Sequence, residues 1–228
     1  MNEVAIARGD LRARFGTRKA VWVQGAFLLV VCMVTLIGLS PDAAAGQVVG
    51  GVSTAILVIA VYVAVATSSG EIALPGEKAL PDLAMSPFGA GEIARGKAIA
   101  SAMFALYLAL AVWPLLLFLH ALRDGGASVA AAQAGVVAAV AWGFAGIGVW
   151  LSGVVEGDLL RILTVWGLLL VIFGLLPLVG APAFQPVRAV QPDAPMTMRV
   201  LCILSWLLVG TLAFWASARR VPILKGDG

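Results

Sequence analysis

LPDLAMSPFGAGEIARGK, residues 80–97, is the longest polar interruption in a chain that is otherwise mostly hydrocarbon. It holds Asp82, Glu92, Arg95 and Lys97 between two long apolar runs, 47–69 and 99–122. Pro81, Pro87, Gly89, Gly91 and Gly96 make it a poor spanning helix, and its charges do not belong in lipid. The flanking runs therefore decide the fold. Each is about the 20 residues that a helix needs to cross a hydrocarbon core of about 30 Å.

Composition agrees with that reading. The chain is 61% hydrophobic and only 12% charged, with a mean hydropathy of +1.02. Soluble domains carry about 25% charged residues, and a soluble fold of 228 residues has no place to hide so much apolar surface. Backbone exposed to lipid must satisfy its own hydrogen bonds, so the expected fold is all-α. A membrane β-barrel needs strictly alternating segments of about ten residues. These runs are twice as long and do not alternate.

Outward from 80–97, six spans are expected, at about 21–39, 47–69, 99–122, 127–154, 159–179 and 200–218, in one domain. Pro114 interrupts the third. Gly135, Gly143, Gly146 and Gly148 would let another helix approach the fourth closely. Residues 3–20 form a basic lead, read as an interfacial helix with Val4, Leu11 and Phe15 on one stripe and arginines flanking it. A basic tail that only sets topology is the other reading. The apolar run that follows is too long for a signal peptide. With six spans, both termini lie on one side. That side carries twelve Lys and Arg, against Arg123, Arg188 and Arg199 on the other, which puts both termini and 71–97 in the cytoplasm. The Pro-rich 180–198 segment then lies outside.

The net charge of +3 does not point to nucleic acid, because the basic residues sit at membrane edges where lipid and topology explain them. Cys32 and Cys202 fall inside apolar runs, where buried packing is expected. His120 is expected at the membrane interface, and no Cys, His and carboxylate cluster has metal-site spacing. The spans carry no charge relay of the kind that ion-coupled carriers use, and no nucleophile–base pair stands out. Residues 91–97, GEIARGK, match the front of a phosphate loop. Ala98 replaces the hydroxyl residue that would hold magnesium, and no buried strand precedes the motif. The chain therefore has no expected catalytic, cofactor or metal site of its own.

After the second span come Glu71, Glu77-Lys78, Leu80, Leu83, Ser86-Pro87, Glu92-Ile93 and Gly96-Lys97, and then the third span. In order and position this resembles the ABC transporter type-2 permease family, whose corresponding loop reads Glu-rich, then Leu, Ser-Pro, Glu-Ile and Gly-Lys. The basic lead and six-span layout are similar as well. Where that family often has Gly-Thr, then Leu and Glu, this chain has Ala79-Leu80-Pro81-Asp82. Pro81 suits the first turn of a short helix, with Asp82 near its positive end.

The resemblance implies a permease that forms a translocation path with a second permease chain, the same or paralogous, in an inner membrane. It implies a separate ATP-binding subunit that holds ATP and Mg, and a coupling helix in 71–97 that docks on it. Leu80, Asp82, Leu83, Met85, Ser86, Pro87 and Phe88 are the expected contacts with that subunit. Glu92, Arg95 and Lys97 are expected to orient the loop at the membrane surface. It further implies short outer re-entrant helices between spans five and six, making 180–198 a candidate outer gate. A membrane scaffold or anchor subunit, and an ATP-independent carrier or channel, are the alternatives that the residues leave open. The substrate is not readable from the spans.

Overall fold

The computed structural model describes residues 2–16, 45–68, 90–111, 113–121, 126–155, 158–175 and 184–224, with isolated helical positions between 22 and 36. Among the described residues the fold is all helical, with no strand. The elements are α1 (Asn2–Gly16), α2 (Ala45–Ser68), α3 (Ala90–Ala111), α4 (Trp113–Ala121) and α5 (Ala127–Ser152). They continue with α6 (Asp158–Leu170), a π-helical turn (Val171–Leu175), α7 (Pro186–Ala189) and α8 (Met196–Leu224).

Among the described residues, three helices are long and apolar enough to cross a membrane, over Val48–Val65, Ala127–Ser152 and Met196–Ser217. They fall on the second, fourth and sixth expected runs. The third run is covered by α3 and α4, with residue 112 between them outside the described residues, and Pro114 lies in α4. The fifth contains the shorter apolar stretch Leu163–Gly174. The first meets only the isolated positions between 22 and 36. Cys202 is buried, but Cys32, expected to be buried, is exposed. Apolar sequence inside a bilayer need not face protein, which is the physical reason for the difference.

α5 is the hub of the bundle. Of its apolar window 67% is buried inside the protein, against 22% for α8, so α5 is central and α8 peripheral. Its Ala and Gly content makes this possible, because small side chains let neighbouring backbones close in on every face. A Cβ on Gly143 would meet the Trp206 ring, and one on Gly146 would lie 2.6 Å from the Gly210 carbonyl oxygen. On α8 the relation reverses, since a Cβ on Gly210 would meet Trp142. Gly135 faces Ile203, and Gly148 seats Ser68 of α2. Phe144 stacks on Trp206 at 4.9 Å and 15° and extends the contact toward Phe173 in the π-helical turn.

α1 packs on α3. Phe15 meets Tyr107 edge-on at 5.0 Å and Phe104 at 5.5 Å, Ala7 is buried, and Leu11 packs against the core. Val4, expected on the same stripe, is exposed. The stripe therefore covers a helix along Ala7, Leu11 and Phe15 and leaves its first residue outside the contact.

These contacts predict the outcome of one substitution pair. Gly146→Leu should lower the thermal midpoint in detergent, because the Gly210 backbone cannot yield. Overpacking of this kind costs about 1–3 kcal/mol. Gly167→Ala, where an added Cβ meets nothing within 4 Å, should leave the midpoint near that of the wild type.

Candidate functional site

α7 is only four residues long, too short to hold together without outside contacts. Pro186 starts it with a preset φ, and the amides of Ala189 and Val190 bond back to the carbonyls of Gln185 and Pro186 at 3.0 and 3.1 Å. What fixes it is a set of side chains from three other helices.

Arg199, in the first turn of α8, is 3% exposed. Its Nε donates to the Ala189 carbonyl at 3.2 Å, and its Nη2 donates to the carbonyls of Gln191 and Pro192 at 2.8 and 3.1 Å. The guanidinium thus caps the negative end of α7 and satisfies the carbonyls of the turn after it. Asp193 adds an electrostatic attraction. The sequence placed Arg199 at the edge of an exposed outer loop. It is buried because α8 begins at Met196, and the Met198 and Arg199 amides reach back to the Pro195 carbonyl at 3.1 and 3.3 Å.

Gln133 of α5 is fully buried. Its Nε2 donates to the Val190 carbonyl at 2.7 Å, and its Oε1 lies 2.8 Å from His120 Nε2. The first bond orients the amide. The oxygen then faces the imidazole, so His120 Nε2 carries the proton and donates. His120, expected at the interface, is 4% exposed. It lies in the last turn of α4, where α5 packs over it.

Gln191 completes the arrangement. Its Nε2 donates to Thr54 Oγ1 of α2 at 3.1 Å and to the Val187 carbonyl at 3.2 Å. The Thr54 hydroxyl donates in turn to the Gly50 carbonyl at 2.8 Å. The Gln191 amide oxygen occupies the space that a Cβ on Gly50 would need. Beside it lies an open groove of about 680 Å³ lined by Gly50, Gly51, Thr54, Ala55, Val58, Ile59 and Gln191. Most of its lining is apolar, and its polar groups gather where Gln191 meets Thr54.

The sequence-predicted positions divide. Leu80, Asp82, Leu83, Met85, Ser86, Pro87 and Phe88 lie outside the described residues. Glu92, Arg95 and Lys97 do not lie in a loop. α3 begins at Ala90, nine residues before the expected start of the span, so all three stand in its first turns. Glu92 sits near the positive end of the helix, where a carboxylate is favoured. Ile93, Gly96 and Ala100 form the buried face there, and Arg95 is exposed. Charge marked this stretch as loop, but a helix can run past the apolar part of its sequence. Glu92–Lys97 and the polar cluster around α7 are not brought together.

The sequence reading missed Thr54, Gln133, Gln191 and Arg199 as one cluster. One signal was present. Gln133 is the only amide in the expected fourth span, and a polar side chain at membrane depth calls for a partner. No family model matches this chain, and no curated protein matches it.

The Gln133 bridge sets a testable coupling. Gln133→Ala and His120→Ala should each lower the unfolding midpoint in detergent, and the double variant should lose less than the sum. Residues in one hydrogen-bonded network couple by about 0.5–3 kcal/mol. Strict additivity in a double-mutant cycle would show that the bridge carries no energy.

Proposed function

We propose that this chain is the membrane-spanning permease subunit of an ABC-type exporter. Two such chains, identical or paralogous, form the path, and each carries a separate ATP-binding subunit that holds ATP and Mg. Both termini and 71–97 lie in the cytoplasm, with six spans in an inner membrane. The positive-charge asymmetry and the residue order Glu71–Lys97 support this reading.

The observation that carries it furthest is the pinned short helix. Six-span alternation puts the start of α2, the end of α4, the start of α5 and the start of α8 on the outer side. Thr54, His120, Gln133 and Arg199 stand at those ends, and their hydrogen bonds gather around α7 and the turn after it. A helical segment tucked against the bundle between spans five and six fits an outer gate. Gln191 and Thr54 hold its groove side, and Gln133 holds its inner side.

At the opposite end, α3 runs without a break from Ala90 into the apolar stretch, and α1 is packed along it. A push delivered at 80–97 therefore has a rigid element to act on, together with its partner helix. Leu80, Asp82, Leu83, Met85, Ser86, Pro87 and Phe88 are the proposed contacts with the ATP-binding subunit. Glu92, Arg95 and Lys97 stand in the first turns of the helix that receives the motion.

The test is purification of the chain from its native membrane in mild detergent, with ATP hydrolysis measured on the purified material. Wild type should carry an ATP-hydrolysing partner. The double variant Asp82→Arg, Leu83→Arg should lose it while its thermal midpoint stays that of the wild type. Equal ATPase retention by the double variant would remove 80–97 as the coupling element.

A further inference from the structure

The peripheral helix α8 has two faces of different character. Arg199, Cys202, Trp206, Gly210 and Ser217 form its buried face. Leu201, Leu204, Leu208, Leu212 and Trp215 form the opposite face, each between 49 and 60% exposed. Their spacing of three and four residues makes one continuous stripe. Thr211, beside it, turns its hydroxyl back to the Leu207 carbonyl at 2.7 Å, so no free polar group interrupts the stripe. The stripe ends at Arg219, whose guanidinium carbon lies 3.5 Å from the centre of the Trp215 ring.

We infer that this end of α8 is a binding site for one anionic phospholipid, with its phosphate on Arg219 and its acyl chains along Trp215, Leu212 and Leu208. Length agrees. From Leu208 to Arg219 the helix rises about 16 Å at 1.5 Å per residue, roughly half of a hydrocarbon core of about 30 Å. The stripe from Leu208 to Trp215 rises about 10 Å, some two thirds of a leaflet, and Arg219, about 6 Å further on, reaches the headgroup level. Geometry agrees as well. A guanidinium seated 3.5 Å over an indole is held in place by the ring, and its N–H groups can bind a phosphate through two parallel hydrogen bonds. Trp at the boundary with Arg beyond it matches the usual order of groups across a membrane interface.

A second copy of the chain is a poorer occupant. Helices associate in lipid through small residues that let backbones approach. This chain uses that device on the other side of α8, at Gly210, and has no small residue at Leu201, Leu204, Leu208, Leu212 or Trp215. The exposed stripe offers large flexible side chains and one cation, which is complementary to a lipid. The inference rests on α8 alone and does not depend on the role of 80–97.

The experiment is native mass spectrometry of the full chain in detergent, titrated with dioleoyl phosphatidylglycerol or dioleoyl phosphatidylcholine. Wild type should hold the first phosphatidylglycerol more tightly than any phosphatidylcholine. Arg219→Gln should weaken that first step roughly five-fold, the scale of one basic side chain at an anionic surface. Arg219→Lys should recover part of the loss, because it keeps the charge without the fork. Arg12→Gln, at an exposed arginine of α1, should weaken that step less than Arg219→Gln does, and an equal or larger effect would overturn the site. Equal affinity for the two lipids, or no effect of Arg219→Gln, would overturn the site. So would a Trp215→Leu variant that changes the monomer–dimer balance without changing lipid affinity, since that outcome assigns the stripe to a second copy.

Discussion

The rest of the bundle depends on the close approach of α5 and α8. Gly143 and Gly146 give up side chains so that Trp206 and the Gly210 backbone can lie against α5, and Gly210 does the same for Trp142. In lipid no hydrophobic force drives such a contact, because acyl chains are as apolar as leucine. Packing must supply it, and a flat indole in a glycine groove supplies a large contact area. The contact also has a cost. The Nε1 groups of Trp142 and Trp206 have no hydrogen-bond partner among the described residues. Each unpaired buried donor costs about 1–3 kcal/mol, so the surrounding dispersion contacts must exceed that.

This approach fixes where α8 starts, and the start of α8 fixes the short helix. Arg199 stands seven residues before Trp206, two turns along the same buried face. With Trp206 seated on Gly143, the guanidinium arrives beneath the carbonyls that end α7. A charge at the positive end of its own helix is unfavourable. Here the carbonyls of Ala189, Gln191 and Pro192 offset that cost. Arg199 therefore satisfies the carbonyl end of α7 from the first turn of α8, which makes the position of α7 a consequence of packing deeper in the bundle.

Much of this was legible in the sequence, and what was not has physical causes. Apolar run length identified the helices at 48–65, 127–152 and 196–217, and glycine spacing pointed to the face of α5 that others approach. Both signals are local. The Gln133–Val190 bridge joins residues 57 apart and the Gln191–Thr54 bond joins residues 137 apart. No local pattern encodes such pairs. A short helix in 180–198 was expected only from the family resemblance, because Pro192 and Pro195 make the surroundings of α7 read as loop, whereas Pro186 starts the helix and Pro195 supplies the carbonyl on which α8 begins. The start of α3 was misplaced for another reason. Hydropathy reports where lipid begins, whereas helix continuity is set by backbone hydrogen bonding, and Glu92, Arg95 and Lys97 are compatible with a helix that emerges into a polar region.

The distribution of polar contacts along the bundle gives it a directional character. At one end, Gln133 of α5 and Arg199 of α8 hydrogen-bond the carbonyls that end α7, with His120 of α4 behind Gln133 and Thr54 of α2 on Gln191, and such bonds are orientation-dependent. Along α5 and α8 the contacts are glycine seats and stacked rings, which resist separation. Toward Gly16, α1 lies against α3 through edge-on and tilted ring contacts of Phe15 with Tyr107 and Phe104, with no hydrogen bond among those side chains. Strain from α1 and α3 would reach the α7 end through the contacts that α5 makes with α3 and α4. There the Gln133 bridge is the element with discrete made and broken states. The bundle thus concentrates orientation-dependent hydrogen bonds at the α7 end and close-packed glycine and aromatic contacts along α5 and α8.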